Sequence, residues 1–257
     1  MTRSQIAAQM YTVRDFLKTP ADIAASLKKL KAIGYQAVQL SGLGPIGNAE
    51  IVAMLKDNGL VCCATHEGSD TIINDPQAVV KKLKELGCTI TAYPYPSGYS
   101  SNTLDEVKEL AKRLNAAGKV LYDNGCVLCY HNHHIEFKRV GGKPAFQVLF
   151  EETDPRYLQG EPDTHWVQHG GGDPVWWCTY LKNRLPILHM KDFVINAETK
   201  ISFAEIGYGN LDWQRIVAAA EQSGCKWFCV EQDTCPGDPF DSLKKSFNYL
   251  VEKICSA

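Results

Sequence analysis

No run of apolar residues in this chain approaches the roughly 20 that a membrane-spanning helix needs. The chain also lacks an excess of charge of one sign, because 27 lysines and arginines face 29 aspartates and glutamates. A net charge of −2 creates no strong field that would attract nucleic acid or an anionic membrane. We therefore expect a small-molecule partner, with no nucleic acid and no membrane involved.

The first residues lack the hydrophobic segment of a secretory signal peptide. Met1 to Gln5 lead directly into a predicted strand, so we expect a cytoplasmic protein. Half of the ten cysteines lie in apolar runs, where cysteine behaves as a small hydrophobic residue. These five are predicted to be reduced core residues: Cys62, Cys63, Cys126, Cys129 and Cys229. Cys126 and Cys129 form a C-x-x-C spacing, but the sequence offers no second pair of this kind to complete a zinc site.

Linker-like stretches are absent, so residues 1–257 are predicted to form one domain. Short apolar runs alternate with helix-like segments along the whole chain. The predicted strands are 6–10, 37–40, 61–65, 89–93, 127–131, 157–160, 187–190 and 227–231. The predicted helices are 20–33, 49–58, 76–86, 104–124, 146–152, 174–181, 212–223 and 239–254. Eight such units with right-handed crossovers predict a single (β/α)8 TIM barrel.

An open doubly wound sheet is the alternative, but no Gly-x-Gly-x-x-Gly follows the first strand. Several predicted helices instead end at a glycine just before the next strand, a residue that accepts the left-handed conformation of a helix end. These glycines are Gly34, Gly59, Gly87 and Gly224.

Polar side chains are concentrated where the predicted strands end. The stretch from His131 to Phe137, which contains three histidines and Glu136, directly follows the apolar run 127–130. Because the carboxyl ends of barrel strands converge on one mouth, an active site is expected there, with a His-rich surface loop as the alternative. Other residues in equivalent positions are Gln9, Tyr11, His66, Glu67, Tyr93, Tyr95, Glu161, Asp163, His165, His189, Lys191, Asp192, Glu231 and Asp233.

Asp163, His189 and Glu231 form the strongest candidate for a metal site, with a fourth ligand from strand five. Carboxylate oxygens combined with imidazole suit a fairly hard divalent ion, Mn²⁺ first, with Mg²⁺, Co²⁺ or Zn²⁺ as options. Alternatively, each residue is a separate polar group satisfied by hydrogen bonds. That alternative is weaker, because charges at a barrel mouth carry a desolvation cost that a metal relieves.

Several motifs follow one another along the chain in a distinctive order. They are Tyr130-His131-Asn132-His133 with Glu136-Phe137, Asp163-Thr164-His165-Trp166, Gly170-Gly171-Gly172-Asp173-Pro174, His189-Met190-Lys191-Asp192, Gly207-Tyr208-Gly209 with Leu211-Asp212-Trp213, and Val230-Glu231-Gln232-Asp233. These motifs and their order resemble the sugar phosphate isomerase/epimerase family of xylose isomerase-like TIM barrels. The resemblance covers nearly the whole chain. It implies a divalent ion held by Glu136, Asp163, His189 and Glu231.

One departure from that family concerns strand five, whose tip carries His131-Asn132-His133 where epimerases of the superfamily usually carry glutamate. The chain thus resembles the branch with inosose dehydratase-like and keto-glycoside-processing members. Glu136 is the expected first ligand, and a strand-tip histidine is the alternative.

A divalent ion that chelates a carbonyl and its neighbouring hydroxyl stabilises an enediolate, and the remaining chemistry is proton transfer. His131 and His133 are the candidate bases, and Lys191 is expected to polarise a substrate oxygen; hydrogen bonding or pairing with Asp192 or Asp163 is the alternative. Predicted substrate-binding residues are Gln9, Tyr11, His66, Tyr93, His165 and Trp166. Gly170 to Gly172 are expected to form a loop whose backbone approaches the site.

The predicted function is a metal-dependent isomerase or epimerase acting on a sugar or keto-sugar through an enediolate. The alternative is a lyase that works by β-elimination, either inosose dehydratase-like or cleaving a 3-keto-glycoside. An endonuclease IV-like phosphodiesterase is disfavoured by the net charge, and a non-catalytic sugar-binding subunit by the complete ligand set. A homo-oligomer or a partner subunit remains compatible with the sequence.

Overall fold

Eight short parallel strands form the barrel in the computed structural model, which describes residues 1–255. The strands are β1 (Ile6–Gln9), β2 (Ala37–Leu40), β3 (Val61–His66), β4 (Ile90–Tyr93), β5 (Val127–His131), β6 (Gln159–Glu161), β7 (Ile187–Met190) and β8 (Trp227–Val230). Neighbouring strands follow the order β6, β5, β4, β3, β2, β1, β8, β7. The predicted TIM barrel is confirmed, and each predicted strand lies within two residues of its observed ends.

The barrel closes between β6 and β7 through a single parallel bridge that pairs Asp163 with His189. The His189 amide donates to the Pro162 carbonyl oxygen at 3.1 Å across this seam. Two predicted metal ligands are therefore held next to each other by backbone pairing.

The strands alternate with helices whose bounds follow the apolar patterns of the sequence. The helices are α1 (Pro20–Ile33), α2 (Asn48–Asp57), α3 (Ser69–Asn74), α4 (Pro76–Leu86), α5 (Leu104–Asp123), α6 (Ala145–Glu151), α7 (Thr164–His169), α8 (Pro174–Tyr180), α9 (Trp213–Gln222) and α10 (Pro239–Tyr249). In α1 the Thr19 side chain accepts from the Asp22 amide, and Gly34 closes the helix at φ +126°. The last predicted helix is interrupted, because α10 passes into a π-helical turn at Leu250–Ile254.

Several short elements were not predicted because they interrupt the loops between the main units. They are α3, α7, 3-10 turns at Arg3–Gln5, Met10–Phe16 and Ile135–Phe137, a hairpin of Asp192–Ile195 with Ile201–Ala204, and a smaller one of Arg139–Val140 with Lys143–Pro144. Two of them, α7 and the 3-10 turn that follows β5, carry residues of the candidate site.

The ten cysteines are free in the described chain. Of the five that were predicted to be core residues, four are buried and Cys62 is partly buried. A broad apolar layer packs between the strands and the helices. None of the helices that the structure describes is both long and apolar enough to span a membrane.

Candidate active site

The interior of the barrel changes from apolar to polar along the strands. Alternate strand residues form an inner cluster of small and apolar side chains, among them Ala7, Ala37, Cys129, Ile187 and Cys229. Side chains of a strand alternate between its two faces, so the residue two positions further along returns to the same interior. Those residues are Gln9, Gln39, His131, His189 and Glu231, all buried.

Four buried side chains at this level could hold one ion, and we call them the metal-ligand set: His131, Asp163, His189 and Glu231. Their ligand atoms lie within 4.8 Å of one another. His189 Nδ1 is 3.1 Å from Glu231 Oε2 and 4.0 Å from Asp163 Oδ2. Ligands bound at about 2.1 Å from a divalent ion lie about 3 Å apart when adjacent and about 4.2 Å apart when opposite. The spacing of the metal-ligand set fits such an ion.

Two atoms of the set are buried and without a hydrogen-bond partner among residues 1–255, namely Asp163 Oδ2 and His131 Nδ1. Lys191 Nζ lies 2.9 Å from Asp163 Oδ2, a charge contact without hydrogen-bond geometry. A buried polar atom without a partner costs free energy. A cation ligated by Asp163 Oδ2 would remove the cost at that atom, so the donor chemistry as well as the spacing suits a metal.

Glu136 is not brought to the metal-ligand set, in contrast to the sequence expectation. Its Oε1 accepts a hydrogen bond from the Tyr130 hydroxyl at 2.9 Å, and its Oε2 accepts from the His133 amide at 2.8 Å. Both oxygens therefore orient the chain as it leaves β5. Burial raises the pKa of Glu136 to about 7. The position expected for Glu136 is taken by His131, the strand-tip alternative.

Lys191 is fully buried among three carboxylates at the mouth. Its ammonium lies 2.7 Å from Glu231 Oε2, 2.9 Å from Asp163 Oδ2 and 3.0 Å from Asp233 Oδ2. Burial alone would lower the pKa of Lys191, but these carboxylates raise it overall, so the side chain stays charged. The predicted pairing with Asp163 is present. Asp192 has other partners instead.

The Asp192 carboxylate organises the loop after β7. It accepts hydrogen bonds from the Gly207 amide at 2.9 Å, the Gly209 amide at 3.2 Å and the Trp213 indole at 2.7 Å. The Gly-Tyr-Gly motif and Trp213 are thus explained by a buried carboxylate that holds the loop.

Glu161, on β6, fixes the orientation of His189. Its Oε1 lies 2.9 Å from His189 Nε2, and the Gln39 side-chain oxygen lies 2.6 Å from the same nitrogen. A proton on Nε2 satisfies both oxygens, which leaves Nδ1 free to face Asp163 and Glu231. Carboxylates commonly hold metal-binding histidines in this way.

The same glutamate also meets two other histidines. Glu161 Oε1 is 2.5 Å from His66 Nε2 and 3.4 Å from His131 Nδ1. With His189 these residues form a second group that could hold an ion. In this group the Glu161 oxygen itself lies between the imidazoles, so the metal-ligand set, with two carboxylates and two imidazoles, is the better candidate for an ion.

His133, at the mouth of the barrel, is a neutral imidazole. Burial, followed by the nearby Lys191 charge, lowers its pKa to about 3. Its Nδ1 is buried and has no hydrogen-bond partner within the described residues. Burial also lowers the pKa of His131 well below the usual range. The sequence expectation of bases near neutrality therefore does not describe these two imidazoles in the ligand-free protein.

A cavity of about 430 Å³, here called the first cavity, opens above these groups. Its volume lies in the range of about 300–1,000 Å³ that is typical of small-molecule sites. The predicted site residues that line it are Tyr11, His66, His131, His133, Lys191 and Glu231. Glu67, Tyr95 and Asp233 also line it.

The other predicted substrate-binding residues lie outside this lining. Tyr93 is buried against Tyr130, with ring centroids 5.6 Å apart. His165 is buried, with its Nδ1 3.0 Å from the Asp192 carbonyl oxygen and its ring stacked on Phe203. These two residues support the walls instead of facing the cavity.

Gln9 and Trp166 also contribute indirectly. The Gln9 side-chain oxygen accepts from the Tyr11 amide at 3.2 Å, which holds the turn after β1. The Trp166 ring lies tilted against His133 with ring centroids 5.6 Å apart, and Lys191 Nζ lies 5.5 Å from the centre of the Trp166 ring. The face of the Trp166 ring thus makes a cation–π contact with the buried Lys191 ammonium.

Residues 170–172 were expected to approach the site, but they do not line the first cavity. Side chains at Gly170 or Gly172 would collide with the Phe137 ring. The glycines therefore allow the chain to pack against the turn that carries Glu136 and Phe137.

Two important residues, Gln39 and Glu161, are absent from the predicted site. Glu161 stood among the strand-end polar residues but was assigned no role. Gln39 lies at the end of an apolar strand, and the same period of two that places His189 inside the barrel would have identified it.

Comparisons with known proteins agree with this architecture. Residues 27–253 match the model of the xylose isomerase-like TIM barrel family. An inosose dehydratase from Clostridium tetani is 28% identical over 59% of this chain and 56% of that protein, so the chain spans about half of its length. An inosose dehydratase from Mesomycoplasma hyopneumoniae is 26% identical over 97% of this chain and 95% of that protein.

A solved sugar phosphate isomerase/epimerase from Parabacteroides distasonis superposes with a TM-score of 0.82 at 25% identity, covering 97% of this chain and 98% of that one. Because the family model spans nearly the whole barrel, including all four residues of the metal-ligand set, the chain belongs to the xylose isomerase-like TIM barrel family.

Proposed function

We propose that the protein is a divalent-metal-dependent isomerase or epimerase that acts on a sugar or keto-sugar. The observation that carries this proposal is the position of the metal-ligand set beside a charged lysine and an unpaired neutral imidazole, His133, in a small-molecule cavity. The relatives are enzymes of carbohydrate chemistry, which supports the same class.

Two imidazoles and two carboxylates suit Mn²⁺, with Mg²⁺, Co²⁺ and Zn²⁺ as alternatives. When bound, such an ion supplies Lewis acidity, which stabilises the negative charge that develops on a carbonyl oxygen when a neighbouring C–H bond breaks. The chain itself supplies orientation and proton transfer.

Lys191 and His133 supply the hydrogen bonding and the proton transfer, respectively. The Lys191 ammonium donates a hydrogen bond to a substrate oxygen in the first cavity, where it also balances the charge of Asp233. The neutral His133 imidazole, which lines the first cavity, accepts the proton from carbon and returns it to the neighbouring carbon on the same face, which completes an isomerisation. Epimerisation would in addition need a proton donor on the opposite face of the enediolate. His131 is a metal ligand in this scheme and carries no proton.

Proton exchange with solvent tests the proposal. Mn²⁺-loaded protein is incubated in D₂O with a panel of aldoses, ketoses and keto-sugars, and the products are analysed by NMR and mass spectrometry. We expect deuterium beside the carbonyl and an isomeric product, and we expect both to be lost in His133→Gln while Mn²⁺ binding persists. Full activity in His133→Gln would rule out this residue as the base, and activity without any divalent ion would rule out the metal role.

Elimination of water is a second candidate, because the full-length relative from Mesomycoplasma hyopneumoniae is an inosose dehydratase. The same C–H cleavage precedes elimination, and the protonated Lys191 is positioned to protonate a leaving hydroxyl. Incubation with inosose distinguishes the two outcomes, since a dehydratase yields a product that has lost one water and an isomerase yields none.

A further inference from the structure

A second cavity adjoins the first and is larger, with a volume of about 730 Å³. Tyr95 lines both cavities and is half exposed. The consecutive residues His133 and His134 line the first and the second cavity, respectively. The chain that leaves β5 therefore separates two compartments that share one aromatic wall.

Part of the wall of the second cavity is aromatic. Tyr95, Tyr99 and Phe137 contribute three rings, and Tyr95 stands edge-on to His133 at 5.3 Å between ring centres. Rings of this kind bind the flat face of a sugar or of another aromatic group. A substrate seated in the first cavity could extend such a group past Tyr95.

Several polar groups that line the second cavity have hydrogen-bond partners. Ser100 Oγ donates to Glu106 Oε2 at 3.0 Å, and Lys138 Nζ donates to Asn102 Oδ1 at 2.5 Å. Glu106, which is not itself a lining residue, also accepts from the Asn102 amide. Among the described residues, Lys138 is the one lysine or arginine in the lining, so the cavity does not present the cluster of cations that suits a phosphate, and its rings favour a neutral ring.

We propose that the second cavity is a subsite for a ring attached to the sugar, so that the substrate is a glycoside and not a free monosaccharide. This inference rests on the proposed function only in placing the sugar in the first cavity. The ring is either a second sugar or an aromatic aglycone, and both would stack on Tyr99 or Tyr95.

Calorimetric titration of the Mn²⁺-loaded protein tests the subsite with four probes: methyl β-glucoside, cellobiose, nitrophenyl β-glucoside and inorganic phosphate. Cellobiose and nitrophenyl β-glucoside each carry a second ring, which methyl β-glucoside lacks. We expect at least one of these two to bind about five- to tenfold more tightly than methyl β-glucoside, as one aromatic stacking contact allows. Tighter binding of cellobiose identifies a sugar subsite, and tighter binding of the nitrophenyl compound identifies an aromatic one.

Tyr99→Ala should reduce the preference to less than twofold without weakening the methyl glucoside, and Tyr99→Phe should retain it. Tyr122→Ala is the matched control, because Tyr122 is an exposed tyrosine packed on Tyr157 and lines neither cavity. Equal binding of all glucosides, an unchanged preference in Tyr99→Ala, or tight phosphate binding that depends on Lys138 would overturn the subsite.

The deuterium exchange experiment keeps the two proposals separate. Exchange into a free monosaccharide without any ring preference would leave the proposed function standing and reject the subsite. A ring preference that depends on Tyr99, in a protein that catalyses no exchange, would support the subsite and reject the proposed function.

Discussion

The close contact between the Glu161 carboxylate and the His189 imidazole links a residue outside the metal-ligand set to one within it. Glu161 and Gln39 both face His189 Nε2, so they favour the tautomer whose Nδ1 can bind an ion. Glu161→Gln should weaken Mn²⁺ binding about 10- to 100-fold, the usual effect of losing such a partner. Titration calorimetry measures the affinity.

The control for that substitution is Glu109→Gln, which removes an exposed carboxylate on α5 that pairs with Arg113. It should leave Mn²⁺ affinity unchanged. An affinity in Glu161→Gln within twofold of the parent protein would mean that Glu161 does not orient His189.

Glu136 should make stability depend on pH. Its folded-state pKa of about 7 lies above the ordinary value of 4.5, because burial disfavours the charge. For a carboxyl with a raised pKa, the stabilising contribution is complete below about pH 4.5 and is lost as the pH rises to about 7. The loss amounts to about 3 kcal/mol.

Glu136→Gln has no charge to bury, so its stability should decline less between pH 4.5 and 7 than that of the parent protein. Urea unfolding at several pH values measures the difference. Glu50→Gln, which changes an exposed carboxylate on α2, should follow the parent curve. Parallel curves for Glu136→Gln and the parent would show that the carboxyl titrates normally.

At the scale of elements, the loop after β7 is packed too closely at Gly209 to accept a side chain there. A side chain at Gly209 would overlap the Asp192 carboxylate and the Phe193 carbonyl oxygen, whereas one at Gly237 meets nothing within 4 Å. Gly209→Ala should therefore lower stability by about 1–3 kcal/mol, the usual cost of overpacking. Thermal unfolding of both alanine variants provides the comparison, and an equal Tm for the two would contradict the close contact.

Long elements were predictable from local patterns and short ones were not. The apolar spacing of α1, with its Thr19 cap and Gly34 end, marks both of its ends in the sequence. The six-residue helix α7 begins at Thr164 and is capped by Asp163, whose Oδ1 accepts from the Trp166 amide at 3.0 Å. It has too few residues for a periodic pattern, and its residue types are set by the site as well as by the helix.

At the scale of the whole molecule, metal binding should stabilise the barrel. Ligands from β5, from β7, from beside β8 and from the loop after β6 would be joined by one ion. Mn²⁺ at about 100 times its Kd should add about 2.7 kcal/mol to the free energy of unfolding. A chelator should reverse the accompanying rise in Tm.

Asp163→Asn should remove most of this stabilisation while keeping the amide-capping oxygen of α7. Asp173→Asn is the matched control, since Asp173 caps α8 in the same way but lies outside the metal-ligand set. A full Mn²⁺-dependent rise in Tm for Asp163→Asn would place the ion elsewhere.

The sequence by itself determined the eight strands, most of the long helices and the end of the barrel that carries the polar residues. Those features depend on periodicity and capping, which are local along the chain. Only the tertiary structure decided that His131, and not Glu136, lies with the three other candidate ligands, that Glu136 accepts hydrogen bonds where the chain leaves β5, and that Glu161 and Gln39 face His189. Those roles depend on distances of a few ångströms between strands far apart in sequence, and on the direction of loops that no periodic pattern specifies.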